Sequence, residues 1–379
     1  MEFALSKEQE LIQKVAKDFA EKYLEPVIDQ IYEENTIPEH IIEALAEHGL
    51  LGIPIPEEYG GSEAGYVSYV LALEQLAKRS AGVGLFISVN TMTLSALTIF
   101  GNDDQKRRYI PAVCQGRLKG SFAFTEPGTG SDPKQLETTA QKENNYFILS
   151  GTKRFISNGS YQGPLVVFAR DVEFDNVTAF IVDKWCEGYS VSEPWKKISA
   201  RGSDLVDIYL NNVKVPEENV LGERGQGFQI LLTGIALGKI GTSTCALADT
   251  SAAFEEALKY AKEKLHRGKS IAKFQSIQLK IADLAIKYEL ARWLCYRLGY
   301  LADTMKDMQQ FAKEAALVKS CVGDNAVQAA RIAMEIHGSY GVMEDYKISR
   351  IYKDAILGSQ IEGVSDMQKL IVASNLLKS

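Results

Sequence analysis

Apolar residues recur with a helical period at both ends of the chain and with a period of two in its middle. In the first part, Ser6 and Gln9 have capping-box spacing ahead of an apolar stripe over 11–23, and Pro26 is expected to end that helix. Further helical patterns cover roughly 39–48, 67–79, 84–99 and 103–110. Residues 1–117 are therefore predicted to form an N-terminal α-helical domain.

The middle part, residues 118–226, has short alternating apolar runs separated by Gly, Asn and Asp turns. Such runs are typical of β-strands. They lie at 146–149, 165–169, 178–182 and 206–210. This part is predicted to be a β-sandwich or barrel.

Long helical patterns return after residue 226, and no proline follows Pro216. One predicted stripe comprises Ile277, Ile281, Leu284, Tyr288, Ala291, Cys295 and Leu298, and another comprises Leu247, Phe254, Leu258 and Leu265. A third pattern covers 309–336, and Ser365 and Gln368 have capping-box spacing at the start of a last helix over 366–377. Residues 227–379 are predicted to form a C-terminal four-helix bundle, so the fold class is α+β.

Charge and composition narrow the function classes. The 379 residues carry a formal net charge of -7 with both signs interspersed, which argues against a nucleic-acid or anionic-membrane surface. We expect no apolar run long enough to cross a bilayer and no signal peptide, hence no membrane association and a cytoplasmic protein. The five cysteines include no CxxC pair and the four histidines are scattered, so no metal site is predicted.

Glu362 and Gly363 lie in the turn just before the last predicted helix. Glycine at position 363 permits a positive φ or the close approach of another group to the backbone. An acid in a turn is usually solvated, so this stretch alone predicts no catalytic role.

Two segments of the β domain have residue types suited to a flat or phosphorylated ligand. The glycine-rich stretch 122–132 offers backbone N–H groups and hydroxyls, although it is equally typical of an ordinary turn. Phe155 and Ser157 are two residues apart and hence on one face of a strand, where the aromatic ring either stacks on a ligand or fills the core. Gly338 and Gly341 are expected to end a long helix in a tight turn.

Five motifs in order give the chain its resemblance to a known family. They are F-T-E-P-G-T-G-S-D (124–132), K-R-F-I-S-N-G (153–159), V-K-V-P-E-E-N-V-L-G (213–222) with G-Q-G-F (225–228), E-I-H-G-S-Y-G-V (335–342) and I-E-G-V-S-D-M-Q-K-L (361–370). Over essentially its whole length the chain resembles the acyl-CoA dehydrogenase family. The resemblance implies FAD-dependent α,β-dehydrogenation of an acyl thioester by a homotetramer or homodimer.

The resemblance also implies roles for individual residues. Glu362 would remove the α-proton, and the N–H of Gly363 would contact the thioester carbonyl. The flavin would lie against Phe122, Phe124 and Thr125 on one side and against Phe155 and Ser157 on the other. Further implied cofactor-binding residues are Ser131, Lys264, Gln275, Glu335 and Ser339, and implied substrate-binding residues are Ser131, Lys239 and Gly363. Burial is expected to raise the pKa of Glu362 more than the nearby helix N-terminus lowers it.

Several positions depart from the family pattern and keep alternatives open. Ala236 and Lys239 replace a family Asp and Arg that seat the CoA thioester, so an acyl or aminoacyl group on a carrier protein is an alternative to acyl-CoA. Lys264, Glu335 and Val364 also differ, which motivates a non-catalytic helical assembly protein as a second alternative. The electron acceptor is expected to be an electron-transfer flavoprotein or oxygen.

Overall fold

A computed structural model describes residues 4–132 and 135–377. Its described part has α-helices at both ends and a β-sheet between them, as predicted.

The N-terminal region is helical, but its first helix does not end at Pro26. The helices are α1 Lys7–Phe19, α2 Ile28–Glu34, α3 Glu39–Glu47, α4 Gly65–Ala77, α5 Ala81–Phe100 and α6 Asp103–Cys114. The predicted capping box of α1 forms between Ser6 and Gln9. The prediction for Pro26 was wrong because the helical path continues through a π-helical turn, Ala20–Leu24, and a 3-10 turn, Glu25–Val27, into α2. Pro26 lies at the start of that 3-10 turn, where its missing N–H costs no helical hydrogen bond.

The middle region is one curled, mixed sheet. Its strands are β1 Ser121–Ala123, β2 Thr139–Glu143, β3 Tyr146–Ser157, β4 Pro164–Asp171, β5 Asn176–Asp183, β6 Tyr189–Val191, β7 Leu205–Pro216 and β8 Val220–Leu221. They pair in the order β6-β7-β3-β2-β4-β5-β8, with β1 parallel to β4. The rings of Phe147 on β3 and Phe180 on β5 are 5.0 Å apart, although three strand spacings, about 14 Å in a flat sheet, separate those strands. The sheet therefore curls around its own core.

Strand β4 is buried on both faces. Leu165 and Val167 point into the core enclosed by the sheet, whereas Val166 and Phe168 pack in a second cluster with residues of α5, α6 and the helix that follows the sheet. This second cluster fixes the sheet against the helices, and the candidate site lies beside it.

The C-terminal region contains the long helices of the bundle. They are α7 Gly227–Glu263, α8 Gln275–Thr304, α9 Met308–His337, α10 Lys347–Ala355, α11 Leu357–Gln360 and α12 Ser365–Leu377, with a small hairpin of β9 Leu265–His266 and β10 Lys269–Ser270 after α7. Leu284, Ala291, Cys295 and Leu298 of the predicted α8 stripe are fully buried. Leu265 is 61% exposed in the hairpin, so its assignment to the α7 stripe was wrong. Gly338, at φ 60°, ends α9 as predicted.

Two described helices correct the expectation about apolar runs. Both α5 and α7 are long and apolar enough to cross a bilayer. Yet 83% of the apolar window of α5 and 89% of that of α7 are buried inside the protein, which is typical of core helices.

Candidate active site

Glu362 and Gly363 form a left-handed turn between α11 and α12. Their φ angles are 51° and 89°. Positive φ at both central residues is typical of a type I′ turn and is unfavourable for a glutamate. The φ of residue 363 favours glycine, and a Cβ there would lie 2.2 Å from Nε2 of Gln368 and displace that amide from the turn.

Two side chains hold the carbonyl groups of this turn. The buried Gln368 donates from Nε2 to the carbonyls of Gly363, at 3.1 Å, and Glu362, at 3.4 Å. Lys319 of α9, also fully buried, donates from Nζ to the Gly363 carbonyl. The capping box predicted for Ser365 and Gln368 was wrong, because Gln368 serves the turn and the Ser365 hydroxyl donates to Asp324 over 2.6 Å.

The carboxylate of Glu362 lies against helix α7. The Thr242 hydroxyl donates to Oε2 of Glu362 at 3.3 Å. A Cβ at Gly238 would lie 3.0 Å from the same oxygen and 2.7 Å from Sδ of Met92, so a larger residue there would displace the acid. Thr242 and Gly238 are four residues apart and therefore share one face of the helix.

Burial raises the pKa of Glu362 to about 7. The positive charges of Lys319 and Lys239, and then the Thr242 hydrogen bond, limit the rise. Burial outweighs the opposing effect of these two ammonium groups. Burial also lowers the pKa of each of these lysines to about 8. The site combines a carboxylate poised near neutrality with two adjacent cations, an arrangement suited to a general base.

Phe122 lies one helical turn from the carboxylate. A Cβ at Gly234 of α7 would lie 2.6 Å from Cζ of Phe122, and Gly234 precedes Gly238 by four residues. That separation corresponds to about 6 Å along the helix axis. Phe122 and Phe124 are 9% and 8% exposed and belong to the cluster between sheet and helices. The structure therefore brings the predicted flavin-facing strand close to Glu362.

Phe155 and Ser157 both lie outside the core of the sheet. Phe155 is 51% exposed at φ 59°, next to a β-bulge between Lys153 and Ile156, whereas Ile156 is buried. The alternative interpretation of Phe155 as a core aromatic is wrong, because the bulge turns its ring outward.

Asp207 holds this bulge in place. Its carboxylate accepts the Phe155 N–H at 3.3 Å, Nε of Arg154 at 3.0 Å and Nε1 of Trp195 at 2.9 Å. The rings of Phe155 and Trp195 lie 5.3 Å apart and form an aromatic surface. The Arg154 N–H donates to the Thr125 carbonyl over 2.7 Å, so the two predicted flavin-facing segments are adjacent.

A fully buried ion pair supports both segments, and the sequence interpretation missed it. Nζ of Lys153 lies 2.7 Å from Oε1 of Glu126 and also donates to the carbonyls of Phe124 and Phe168. Burial would raise the pKa of Glu126, but the Lys153 charge holds it below its usual value. The sequence feature that could have revealed this ion pair is Lys153, a charged residue at a core-facing position of a strand.

Lys319 and Thr242 were also missed. Lys319 lies on a stripe of small and apolar residues of α9 that includes Ala315, Val322 and Ala326, so a lone lysine on an otherwise apolar face was the available signal. No comparable signal marks Thr242, because threonines are frequent along α7.

The remaining predicted cofactor-binding residues lie on the surface. Gln275, Glu335, Ser339 and Ser131 are exposed, and Lys264 is half-buried with Nζ 4.2 Å from the ring centre of Tyr340. Glu335 forms ion pairs with Lys280 and Arg331. Lys239, by contrast, is 4% exposed beside Glu362.

Comparisons with known proteins agree along the chain. Models of the N-terminal, middle and C-terminal domains of acyl-CoA dehydrogenases match residues 6–117, 121–213 and 225–377. An acyl-CoA dehydrogenase of Bacillus subtilis is 38% identical over 377 residues, which are 98% of this chain and 99% of that protein. A subunit of the caffeyl-CoA reductase-Etf complex of Acetobacterium woodii is 35% identical over 98% of this chain and 99% of its own length.

Solved structures show the same similarity. Butyryl-CoA dehydrogenase from Megasphaera elsdenii has a TM-score of 0.95 at 32% identity, with 100% of both chains covered. A prolyl acyl carrier protein oxidase has a TM-score of 0.92 at 28% identity, covering 98% of this chain and 100% of its own.

Proposed function

Because this chain belongs to the acyl-CoA dehydrogenase family, we propose that Glu362 is the base that removes the α-proton of its acyl-thioester substrate. The protein is a flavin-dependent acyl-thioester dehydrogenase that uses FAD. We also propose that residues 1–117, 118–226 and 227–379 are its three domains. The assignment of the base rests on the position of the Glu362 carboxylate. It lies against Gly238 and Thr242 of α7, one helical turn from the point where α7 meets Phe122.

The chemistry requires a stronger base than a solvated carboxylate. An α-proton of a thioester is weakly acidic, and burial supplies basicity by raising the pKa of Glu362 to about 7. The Gly363 N–H is proposed to donate to the thioester carbonyl, where negative charge develops as the proton leaves. Lys239 and Lys319 keep enough of the acid ionised to accept that proton.

The residues of the β domain fit the flavin ring of FAD. The exposed Phe155 ring, the aromatic surface with Trp195 and the adjacent Thr125 segment offer a flat, partly polar surface. We propose Phe122, Phe124, Thr125, Phe155 and Ser157 as ring contacts, and Ser131, Lys264, Gln275, Glu335 and Ser339 as contacts to the rest of the cofactor. When bound, FAD supplies the acceptor for the β-hydride.

Acyl-CoA is the proposed substrate, and an acyl group on a carrier protein is the second candidate. The similarity to a prolyl acyl carrier protein oxidase, together with Ala236 and Lys239, favours testing the carrier form. Lys239 is buried beside Glu362, so we infer that it acts on the acid and the thioester end rather than on the distal arm of CoA. Turnover of matched acyl-CoA and acyl-carrier substrates decides between them, and faster turnover of the CoA ester excludes a carrier preference.

An electron-transfer flavoprotein is the proposed acceptor, supported by the similarity to a subunit of a reductase-Etf complex. Oxygen is the alternative acceptor. The similarity to a subunit of a reductase complex is the reason to test the reverse reaction as well, the reduction of an α,β-unsaturated acyl thioester. The family assignment and the retained acid argue against the non-catalytic alternative.

We propose that the chain forms a homotetramer or homodimer through α8. Besides its buried stripe, this helix has a second apolar stripe that faces outward. Its members are 41–68% exposed: Leu279, Ile286, Leu290, Trp293 and Tyr300. Their spacing of seven, four, three and seven residues is suited to packing against another helix.

The assignment of the base is tested with Glu362→Gln. We expect purified protein to be yellow and the variant to retain the flavin spectrum but lose bleaching by substrate. Glu43→Gln, an exposed acid on α3, is the matched control for charge removal and should retain bleaching. Full turnover by Glu362→Gln would exclude Glu362 as the base.

A further inference from the structure

Helix α7 meets α5 and α4 immediately beyond the acid. A Cβ at Gly241 would lie 2.1 Å from Oγ of Ser88 on α5 and 2.8 Å from Oη of Tyr69 on α4. Gly241 and Gly238, against which Glu362 lies, are three residues apart and therefore share one face of α7. Ser88 and Tyr69 are 1% and 2% exposed, so this helix junction belongs to the interior of the protein.

The acyl group of the substrate has to point toward this helix junction. Phe122, on the proposed flavin side, meets α7 at Gly234, so Phe122 and Tyr69 lie on opposite sides of Glu362 along the helix. The CoA or carrier-protein handle of a thioester is large and polar, so it extends to solvent, and the apolar acyl end takes the buried direction. We propose that Tyr69 closes the inner end of the acyl pocket and restricts the substrate to short acyl groups, an inference that rests on the proposed function.

Helix geometry sets the length of acyl group that fits. Gly238 and Gly241 are about 4.5 Å apart along the axis of α7. An extended chain advances roughly 1.1–1.2 Å per bond, so an acyl group whose α-carbon lies at Glu362 reaches the Tyr69 hydroxyl after about four bonds. The pocket therefore takes acyl groups of up to about six carbons, and an octanoyl group fits only if Tyr69 is displaced.

Packing closes the paths that would bypass the helix junction. On the adjacent face of α5, Leu85 and Val89 belong to one buried cluster, and Ile361, which precedes the acid, packs against it. The contact between α5 and α7 also continues inward, where a Cβ at Gly84 would lie 3.1 Å from Sγ of Cys245. An acyl chain that extends beyond the acid therefore ends at the helix junction.

The Tyr69 ring is fixed in place by its neighbours. The ring of Tyr66 lies edge-on to it with the centroids 6.2 Å apart, and the Tyr66 hydroxyl is in turn 2.7 Å from Oγ of Ser95. Burial raises the pKa of Tyr69, so its hydroxyl is neutral. The inner end of the pocket is therefore a rigid, uncharged side chain, and shortening that side chain should lengthen the pocket.

The test measures chain-length preference in the FAD-loaded protein. The preference is the ratio of the second-order rate constants at which butanoyl-CoA and octanoyl-CoA bleach the flavin without an acceptor. The wild type is compared with Tyr69→Ala, Tyr69→Leu and Tyr69→Phe. Tyr109→Ala, at a tyrosine of α6 that is 1% exposed, is the matched control for loss of a buried ring. Destabilisation by a cavity lowers the folded fraction but leaves this ratio unchanged.

We expect the wild type and Tyr109→Ala to prefer the butanoyl ester by about 100-fold or more. Tyr69→Ala should lower that preference by about tenfold or more because it accelerates the octanoyl ester, Tyr69→Leu should lower it less, and Tyr69→Phe should keep it. Equal bleaching of the wild type by both esters would overturn the role of Tyr69. An unchanged ratio in both Tyr69→Ala and Tyr69→Leu would do the same.

A second measurement does not depend on catalysis. In crystals pressurised with xenon, Tyr69→Ala should bind xenon in a cavity that is continuous with the site of Glu362, and the wild type should not. If the wild type is bleached by neither ester, the proposed action on acyl-CoA is wrong. A cavity at residue 69 that is sealed from Glu362 would separately refute the inference about Tyr69.

Discussion

The Thr242 hydroxyl lies 3.3 Å from Oε2 of Glu362, although the two residues are 120 positions apart. Thr242 is on the long helix α7, and Glu362 is in a left-handed turn before the last helix. This hydrogen bond holds one carboxylate oxygen and favours the ionised form of the acid.

Thr242→Val should raise the pKa of Glu362, because the hydroxyl hydrogen bond stabilises the ionised acid. We expect the pH at which turnover reaches half its maximum to rise by up to about one unit. Thr244→Val is the matched control, since the Thr244 hydroxyl bonds the Ile240 carbonyl within the same helix. Equal pH profiles for the wild type and Thr242→Val would contradict the prediction.

Turnover should increase with pH through about 7, because the base must be ionised and burial has raised the pKa of Glu362 to that value. The profile of kcat/KM against pH measures this. A rate that is flat between pH 5.5 and pH 8.5 would show that another group, or a step other than proton removal, controls turnover.

Stability has the corresponding pH dependence. The pKa of Glu362 rises from 4.5 to about 7 on folding, so the folded state holds the proton more tightly. The stabilisation that comes from binding this proton is fully present below pH 4.5, the pKa in the unfolded chain, and is lost as the pH rises through 7. Glu362→Gln should therefore stabilise the protein above pH 7 by roughly 3 kcal/mol relative to its effect at pH 4.5. Denaturant unfolding at several pH values measures the difference, and a pH-independent effect would contradict it.

Breaking the ion pair of Glu126 and Lys153 should destabilise the β domain. Their side chains are 1% and 0% exposed, so Lys153→Met leaves a carboxylate buried without its counter-ion. We expect a loss of about 3–5 kcal/mol in the free energy of unfolding, and weaker FAD binding because the pair supports both flavin-facing segments. Lys142→Met, in an exposed ion pair with Glu217 on the same sheet, should cost less than about 1 kcal/mol.

The double variant Lys153→Met/Glu126→Gln checks the mechanism. It removes both charges, so its loss should be smaller than the sum of the two single losses by more than about 1 kcal/mol. Additive losses would show that packing, rather than the paired charges, accounts for the destabilisation.

Charge on the outer stripe of α8 should dissociate the oligomer. Ile286→Glu/Leu290→Glu places two carboxylates on a face proposed to pack against another copy, where burial of an unpaired charge is costly. Sedimentation velocity should show a smaller species. Leu11→Glu, on an equally exposed leucine of α1, is the control and should leave the assembly unchanged. An unchanged sedimentation coefficient for the double variant would place the interface elsewhere.

Much of the architecture was predictable because it depends on local periodicity. The change from a helical period to a period of two located the sheet, and the Ser6 capping box located the first helix. The irregular path around Pro26 was not predictable, because a proline at the start of a new helical turn and a proline that ends a helix share the same local signal.

The sequence by itself determined the fold class, the family and the acid in its turn, since these depend on patterns and on the order of motifs. Only the tertiary structure decided what surrounds Glu362. Thr242, Lys239 and Lys319 approach it from helices distant in sequence. The periodicity of a helix shows which residues share a face, but not which other element packs against that face. The same holds for Gln368: its spacing from Ser365 allowed a helix cap, but the left-handed turn leaves two carbonyls within its reach, and the side chain bonds to those instead.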